Sequence, residues 1–208
     1  AFTETIGAVT LQRGLTTFLH EQSPASLTSQ TLTLTSLTRN GTSAVNFASN
    51  ASLNTTKNIM TVTGATATTA GQIIGAWATV GNTAGAFDYA IYDGSSRIVG
   101  ANMGGTGQAS WTVSTDAYNN NVVTQTLGAT RTIAALRNTA ATATLTLATG
   151  VKLETYGVLN GAASLFTIAP GTGGVLLTPS GGGQLHLNAG NGTAGGAMTI
   201  SAPINDNG

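Results

Sequence analysis

The sequence predicts an all-β fold, a parallel β-helix built from roughly three short strands per coil. Short runs that alternate apolar and polar residues recur from end to end, as in Thr31–Thr35, Ala143–Leu147 and Gln184–Leu187. Alternation with a period of two buries one face of a strand, and threonine suits the exposed face. In the C-terminal third the runs follow one another so closely that three strands would occupy roughly 20 to 25 residues, a repeat length typical of solenoids.

Composition excludes several classes of function. The chain has 208 residues, of which 41% are hydrophobic and only 7% charged, and its net charge is zero. Electrostatic attraction to nucleic acid is therefore not expected. The sequence contains no cysteine, so it forms no disulfide and no thiolate metal site. No apolar run approaches the roughly 20 residues of a transmembrane helix, so we predict no transmembrane segment.

The N-terminal half follows the same pattern with looser spacing. The predicted strands are Glu4–Leu11, Thr16–Leu19, Leu27–Leu37, Ala44–Phe47 and Asn58–Thr63. The composition then changes, because residues 71–118 hold most of the aromatic side chains: Trp77, Phe87, Tyr89, Tyr92, Trp111 and Tyr118. We predict that this stretch is a lateral excursion that packs on the flank of the coils.

The C-terminal third shows the clearest period. Apolar pairs at alternate positions occur at Leu145/Leu147, Val151/Leu153, Phe166/Ile168, Val175/Leu177, Leu185/Leu187 and Met198/Ile200. Glycine-rich separators such as 171–174 and 181–183 fit sharp corners. The segment Ile133–Arg137 fits either one helical turn or a strand. Alternation places Leu147 and Leu187 in the core and Thr144 on the outer face.

Several segments together carry a resemblance to a known family. Ile74–Val80, followed by Phe87–Asp93, resembles the "GGWATV…FA.YD" segment of large bacterial secreted proteins with autotransporter-associated β-strand repeats. Glu4–Leu11 resembles the opening coil of that family, and Ser36–Phe47 resembles a later coil. The ending Met198–Gly208 resembles the segment that precedes the family's glycine-rich repeats. The segments occur in the family's order, although its "NTYTG" repeat and its membrane barrel are missing here.

The resemblance implies a right-handed parallel β-helix in a secreted or surface-exposed bacterial protein. We therefore expect residues 1–208 to form one continuous β-solenoid segment of a longer chain. Its expected function is structural, as part of an extracellular or cell-surface fibre or stalk that assembles end to end. The expected partners are further coils of the same chain or other copies of it, forming a homopolymer.

Catalysis is the less favoured alternative. Many β-helix proteins are polysaccharide-active enzymes that gather several carboxylates on one face. The acids here are dispersed along the chain: Glu4, Glu21, Asp88, Asp93, Asp116, Glu154 and Asp206. His20 and His186 lie far apart with no third imidazole, which argues against a metal site. We predict no catalytic, cofactor-binding or metal-binding residues.

The alternative ranked directly after the structural function is an adhesin passenger that contacts glycans through the aromatic stretch. Aromatic faces beside carboxylates can hold a sugar ring by stacking and hydrogen bonding. The candidate residues are Trp77, Asp88, Tyr89, Tyr92 and Asp93. The competing interpretation is that these aromatic rings pack against the coils and leave the acids exposed at the ends of the segment.

Overall fold

The chain is described by a computed structural model over residues 1–21, 29–49, 53, 56–82, 85–180, 183–190 and 196–207. It divides into two compact units, Ala1–Ala101 and Asn102–Gly208. Within the described residues, regular structure is β throughout apart from one 3-10 turn at Gln108–Ser110. The predicted all-β class is therefore confirmed.

The first unit contains two sheets, and successive strands alternate between them up to the sixth strand. Its strands are β1 (Phe2–Leu11), β2 (Leu15–Leu19), β3 (Gln30–Arg39), β4 (Ala44–Ala48), β5 (Asn58–Val62), β6 (Ala78–Asn82), β7 (Gly85–Tyr92) and β8 (Ile98–Gly100). One sheet has the order β1-β3-β5, and the other has the order β2-β4-β6-β7-β8. All pairs are parallel except β6 with β7 and β7 with β8, which are antiparallel.

The second unit contains three parallel sheets. Its strands are β9 (Ala117–Asn120), β10 (Thr124–Leu127), β11 (Arg131–Ile133), β12 (Ala135–Asn138), β13 (Ala143–Leu147), β14 (Lys152–Thr155), β15 (Gly157–Asn160), β16 (Phe166–Pro170), β17 (Val175–Leu177), β18 (His186–Asn188), β19 (Met198–Ile200) and β20 (Ile204–Asn205). The sheet orders are β18-β15-β12-β9, β10-β13-β16-β19 and β11-β14-β17-β20. Each strand from β9 to β17 therefore pairs with the third strand after it.

The predicted single right-handed β-helix through residues 1–208 is wrong. The described strands form five separate sheets of three to five strands, and one of these sheets mixes parallel and antiparallel pairs. The chain reverses direction after β6, where Asn82 lies opposite Gly85. Glycine permits this reversal, because a Cβ on Gly81 would overlap the Gly85 carbonyl and lie 2.8 Å from the Ala86 Cα.

The predicted strands mostly correspond to observed ones. Those predicted in the N-terminal half match β1 to β5 within a few residues, although Leu27 and Thr28 lie outside the described residues. The Ile133–Arg137 segment forms parts of β11 and β12, so the strand alternative is confirmed. The lateral excursion at about 71–118 stays a prediction; this stretch supplies β6, β7 and β8 to the first unit.

Each unit has its own apolar core. Leu34, Phe47, Met60 and Val80 are buried in the first unit. The second core contains Trp111, Leu136, Leu147 and Phe166, among others. Two aromatic residues of the 71–118 stretch, Tyr89 and Trp111, are among the largest fully buried side chains.

Leu147 is fully buried as predicted, but the prediction that Leu187 lies in the core is wrong, since 47% of its surface is exposed. Leu187 nevertheless faces the core. It pairs with Val158, which pairs with Leu136, and both of these residues are fully buried. Leu187 is exposed because β18 pairs on one side only within the described residues.

Candidate functional site

The five candidate glycan-contact residues all lie in the first unit. Trp77 immediately precedes β6 and is half-buried against the core of that unit. The guanidinium carbon of Arg39 lies 5.4 Å from the centre of the Trp77 ring, within range of a cation–π contact. Gly75 leaves space for the indole, since a Cβ there would overlap the ring.

Asp88 and Tyr89 lie in the interior of β7. Both residues are buried. One Asp88 carboxylate oxygen accepts a hydrogen bond of 2.8 Å from the Tyr89 backbone N–H. The Tyr89 ring therefore presents no exposed face for stacking, and the Asp88 carboxylate is buried as well.

Asp93 closes the turn that follows β7. Its Oδ1 accepts hydrogen bonds from the backbone N–H groups of Ser95, at 2.8 Å, and Arg97, at 3.0 Å. Its Oδ2 accepts a 2.7 Å hydrogen bond from the Arg97 guanidinium. Burial by itself would raise the pKa of Asp93, but these donors and the Arg97 charge outweigh burial and lower that pKa below its ordinary value.

Tyr92 is half-buried against the core of the first unit. Burial raises the pKa of its phenol. Of the five candidates, Trp77, Tyr92 and Asp93 thus keep partial exposure, while Asp88 and Tyr89 lie inside. Glycan contact at these residues stays a prediction.

Two of the other acidic side chains accept hydrogen bonds within the fold. Glu154 accepts hydrogen bonds from the Thr132 hydroxyl and the Ser180 backbone N–H, and Asp206 accepts one from the Thr178 hydroxyl. Across the part of the chain that the structure describes, no three His, Asp or Glu side chains group closely enough to hold a metal ion.

A buried ladder of asparagines was not anticipated from the sequence. Asn120, Asn138 and Asn160 end β9, β12 and β15, and all three are fully buried. The Asn120 Nδ2 donates to the Asn138 Oδ1 at 2.8 Å, and the Asn138 Nδ2 donates to the Asn160 Oδ1 at 3.0 Å. The ladder therefore ties three successive strands of one sheet through side chains as well as backbone.

Both ends of the ladder are satisfied. At one end the Asn120 Oδ1 accepts from the Gln125 side chain and from the Val122 N–H. At the other end the Asn160 Nδ2 donates to the Ser164 and Ala197 carbonyls at 2.7 and 2.8 Å. The sequence signal was an asparagine at the end of each short strand, in "YNN", "LRN" and "VLN".

The strand edges differ in how well they are covered. In the first unit, β7 pairs with β6, and Arg97 bridges to Thr61 of β5. In the second unit, Gly105 bridges to Asn119 of β9, and the Gln108 N–H donates to the side-chain oxygen of Gln125 in β10. Trp111 also stacks on Tyr118 there, with ring centres 6.3 Å apart.

Five of the other edge strands, which we call the open edges, are β1 and β2 in the first unit and β18, β19 and β20 in the second. Among the described residues these strands pair on one side only. Paired apolar residues on neighbouring strands form rows that face the core, and several of these rows end at the open edges. In one row of the first unit, Leu34 and Val62 are at most 5% exposed, but Ile6 at the β1 end of the row is 37% exposed. In one row of the second unit, Leu153 and Leu176 are fully buried, whereas Ile204 at the β20 end is 49% exposed.

A stack of two aromatic rings ends at β2, which is one of the open edges. Phe18 lies over the buried Phe47, with ring centres 5.8 Å apart and planes 15° apart. Phe18 is only half-buried, because among the described strands β2 pairs with β4 alone.

Comparison with known proteins identified no relative: no family model, no curated protein and no solved structure matches this chain. The described residues also include no helix that is long and apolar enough to cross a membrane.

Proposed function

We propose that this chain is a structural segment of an extracellular or cell-surface bacterial fibre or stalk, in which further parallel β-strands continue its sheets at the open edges. The observation that carries the proposal is the exposure of Ile6, Leu187 and Ile204 at the ends of otherwise buried core-facing rows. Strands from further segments or from other copies of the chain would complete those rows.

Two physical terms favour this continuation. An open strand edge presents unpaired N–H and C=O groups, which form a template for another strand. Full burial of a Leu or Ile side chain contributes roughly 1.5 to 3 kcal/mol, so completing several half-exposed rows would stabilise an added strand substantially. The Phe18 ring offers a further apolar surface at β2.

The distribution of charge and polar contacts is consistent with a structural function. Glu154, Asp206 and Asp93 are each hydrogen-bonded within the fold. The buried asparagine ladder also stabilises the sheet stack internally. The resemblance to autotransporter-associated repeat proteins supports the extracellular location as a proposal.

The experiment is a concentration series by light scattering and sedimentation on the 208-residue chain. We expect self-association of the wild-type chain, and we expect Leu187→Lys and Ile204→Lys to weaken it because each places a charge at an open edge. Val113→Lys is the matched control, since Val113 has the same 47% exposure as Leu187 but lies outside the strands. A wild-type chain that stays monomeric, or edge variants that associate like the control, would contradict the proposal.

A further inference from the structure

Two Asn-Gly pairs lie wholly within the described residues, and their surroundings are opposite. Asn40 and Gly41 form an exposed turn between β3 and β4, whereas Asn160 and Gly161 lie at the buried end of β15. We propose that Asn40 is a site of spontaneous, non-enzymatic deamidation, and that the asparagine ladder protects Asn160 from the same reaction. The proposal is independent of the fibre function.

The reaction needs only water. The backbone nitrogen of Gly41 attacks the side-chain carbonyl carbon of Asn40 and loses its proton, while the bond to the side-chain amide nitrogen breaks and ammonia leaves. Water then opens the resulting succinimide ring at either carbonyl and gives aspartate or isoaspartate. One water is consumed and one ammonia is released. Glycine at the second position hinders the attack least, because it has no Cβ.

The geometry at Asn40 permits this reaction. Asn40, Gly41 and Thr42 are all exposed. Among the described residues, the Asn40 side chain makes one long hydrogen bond, from its Nδ2 to the Gln12 Oε1 at 3.3 Å. A Cβ on Gly41 would meet nothing closer than the Gln12 carbonyl oxygen at 3.7 Å, so the turn has space around it. The structure shows no hydrogen bond from the Gly41 N–H to a described residue.

The geometry at Asn160 blocks it. The Gly161 N–H, which would be the nucleophile, donates to the Asn138 carbonyl at 2.9 Å. The Asn160 side chain is fully buried, and its amide is held by the Ser164 and Ala197 carbonyls. Reaction therefore requires the ladder to open first, and each tenfold reduction in the open population corresponds to about 1.4 kcal/mol of opening free energy.

Conversion of Asn40 would change the turn locally. Isoaspartate adds a methylene group to the backbone at a residue whose N–H donates to the Leu11 carbonyl at 2.8 Å. The buried Ser43 hydroxyl also bonds to the carbonyls of Leu11 and Asn40, at 3.2 Å each. The product is therefore expected to loosen the link between β3 and β4.

The test incubates the folded chain in mildly alkaline buffer and follows both sites by peptide mass spectrometry, with isoaspartyl methyltransferase to detect isoaspartate. We expect Asn40 to convert at least about tenfold faster than Asn160, a difference of about 1.4 kcal/mol in barrier. In denaturant the two sites should convert at similar rates, which shows that the fold causes the difference. Asn40→Gln should abolish the signal at residue 40, since its longer side chain cannot close the five-membered ring.

A second variant tests the protection directly. Asn138→Ala removes the ladder bond to Asn160 and should raise conversion at Asn160 while leaving the rate at Asn40 unchanged. The proposal is overturned if Asn40 stays intact in the folded chain while the denatured chain converts. Equal rates at the two sites in the folded chain would overturn it as well.

Discussion

At the scale of single residues, the asparagine ladder shows how polar groups are accommodated inside the second unit. Asn120, Asn138 and Asn160 are fully buried, and each amide has partners on both sides. A buried amide without a partner would cost roughly 1 to 3 kcal/mol, so the benefit depends on the ladder being complete. Each asparagine also bonds to the backbone two residues ahead, which fixes the corner.

We predict that Asn138→Ala destabilises the second unit by about 3 kcal/mol, because it leaves the Asn120 Nδ2 and the Asn160 Oδ1 each short of one bond. The measurement is denaturant unfolding followed by Trp111 fluorescence in a Trp77→Phe background. Asn121→Ala is the control, since Asn121 is exposed beside the same corner. Equal stability of the two variants would mean that the ladder contributes nothing.

Asp93 gives a prediction for pH. Because the pKa of Asp93 is lowered in the folded state, its ionised form stabilises the first unit above the unfolded pKa, about 3.9 for an aspartate. That stability is lost as the pH falls through the folded pKa. Urea unfolding across this acidic range should therefore show a weaker pH dependence in Asp93→Asn than in the wild type.

Arg97→Gln serves as the intermediate variant. It removes the guanidinium bond to Asp93 but keeps both backbone N–H donors. The acid-induced loss of stability should therefore shift toward higher pH without disappearing. A pH profile that is the same in the wild type and both variants would refute this role of Asp93.

At the scale of strands, core-facing rows determine which substitutions the fold tolerates. Leu147 lies fully buried in β13 and pairs with Leu127 and Pro170, whereas Thr144 of the same strand faces outward and is half-buried. We predict that Leu147→Asp costs about 4 kcal/mol or more, because it buries an unpaired charge. Thr144→Ser should cost under about 1 kcal/mol. Thermal melting that cannot distinguish the two would mean that the faces are assigned wrongly.

Glu4 tests the open edge of β1. It occupies a core-facing row, since it pairs with Leu32, which pairs with the buried Met60. An inward-pointing charge at an edge opposes indiscriminate strand pairing. We therefore predict that Glu4→Val increases self-association in the light-scattering assay. Thr5→Val is the matched control, because Thr5 belongs to the opposite face, where Thr33 and Thr61 bond to each other.

Much of the strand content could be predicted from the sequence, because alternation in segments such as Ala143–Leu147 specifies both the strand and its buried face. Leu187 shows the limit of that argument. Alternation gave its facing direction correctly, but its exposure depends on whether another strand covers β18. The reversal after β6 depends on close backbone contact at Gly81, which no periodicity reveals.

The candidate site was less predictable than the strands. The cluster around Tyr89 combines aromatic and acidic residues in a way that suggests sugar binding, yet Asp88, Tyr89 and Ala90 are all buried. Alternation does not predict three consecutive buried residues. The asparagine ladder depends on strands far apart in the sequence that stack in register. Sequence spacing alone did not reveal that register, since loops of different lengths separate the strands.

At the scale of the whole molecule, the chain consists of two compact units, each with its own core and its own open edge. Covered edges keep Met60 and Leu127 buried, whereas open edges leave Leu187 and Ile204 half-exposed. This contrast is the basis of the proposed structural function, in which further strands would continue the sheets.

Hydrogen–deuterium exchange measured in dilute and in concentrated, assembled samples tests that claim most directly. Amides of β1, β18 and β20 should become protected on assembly, while amides of the interior strands β12 and β13, already paired on both sides, should change little. Protection confined to other surfaces, or open-edge amides that exchange equally fast in both samples, would contradict the account.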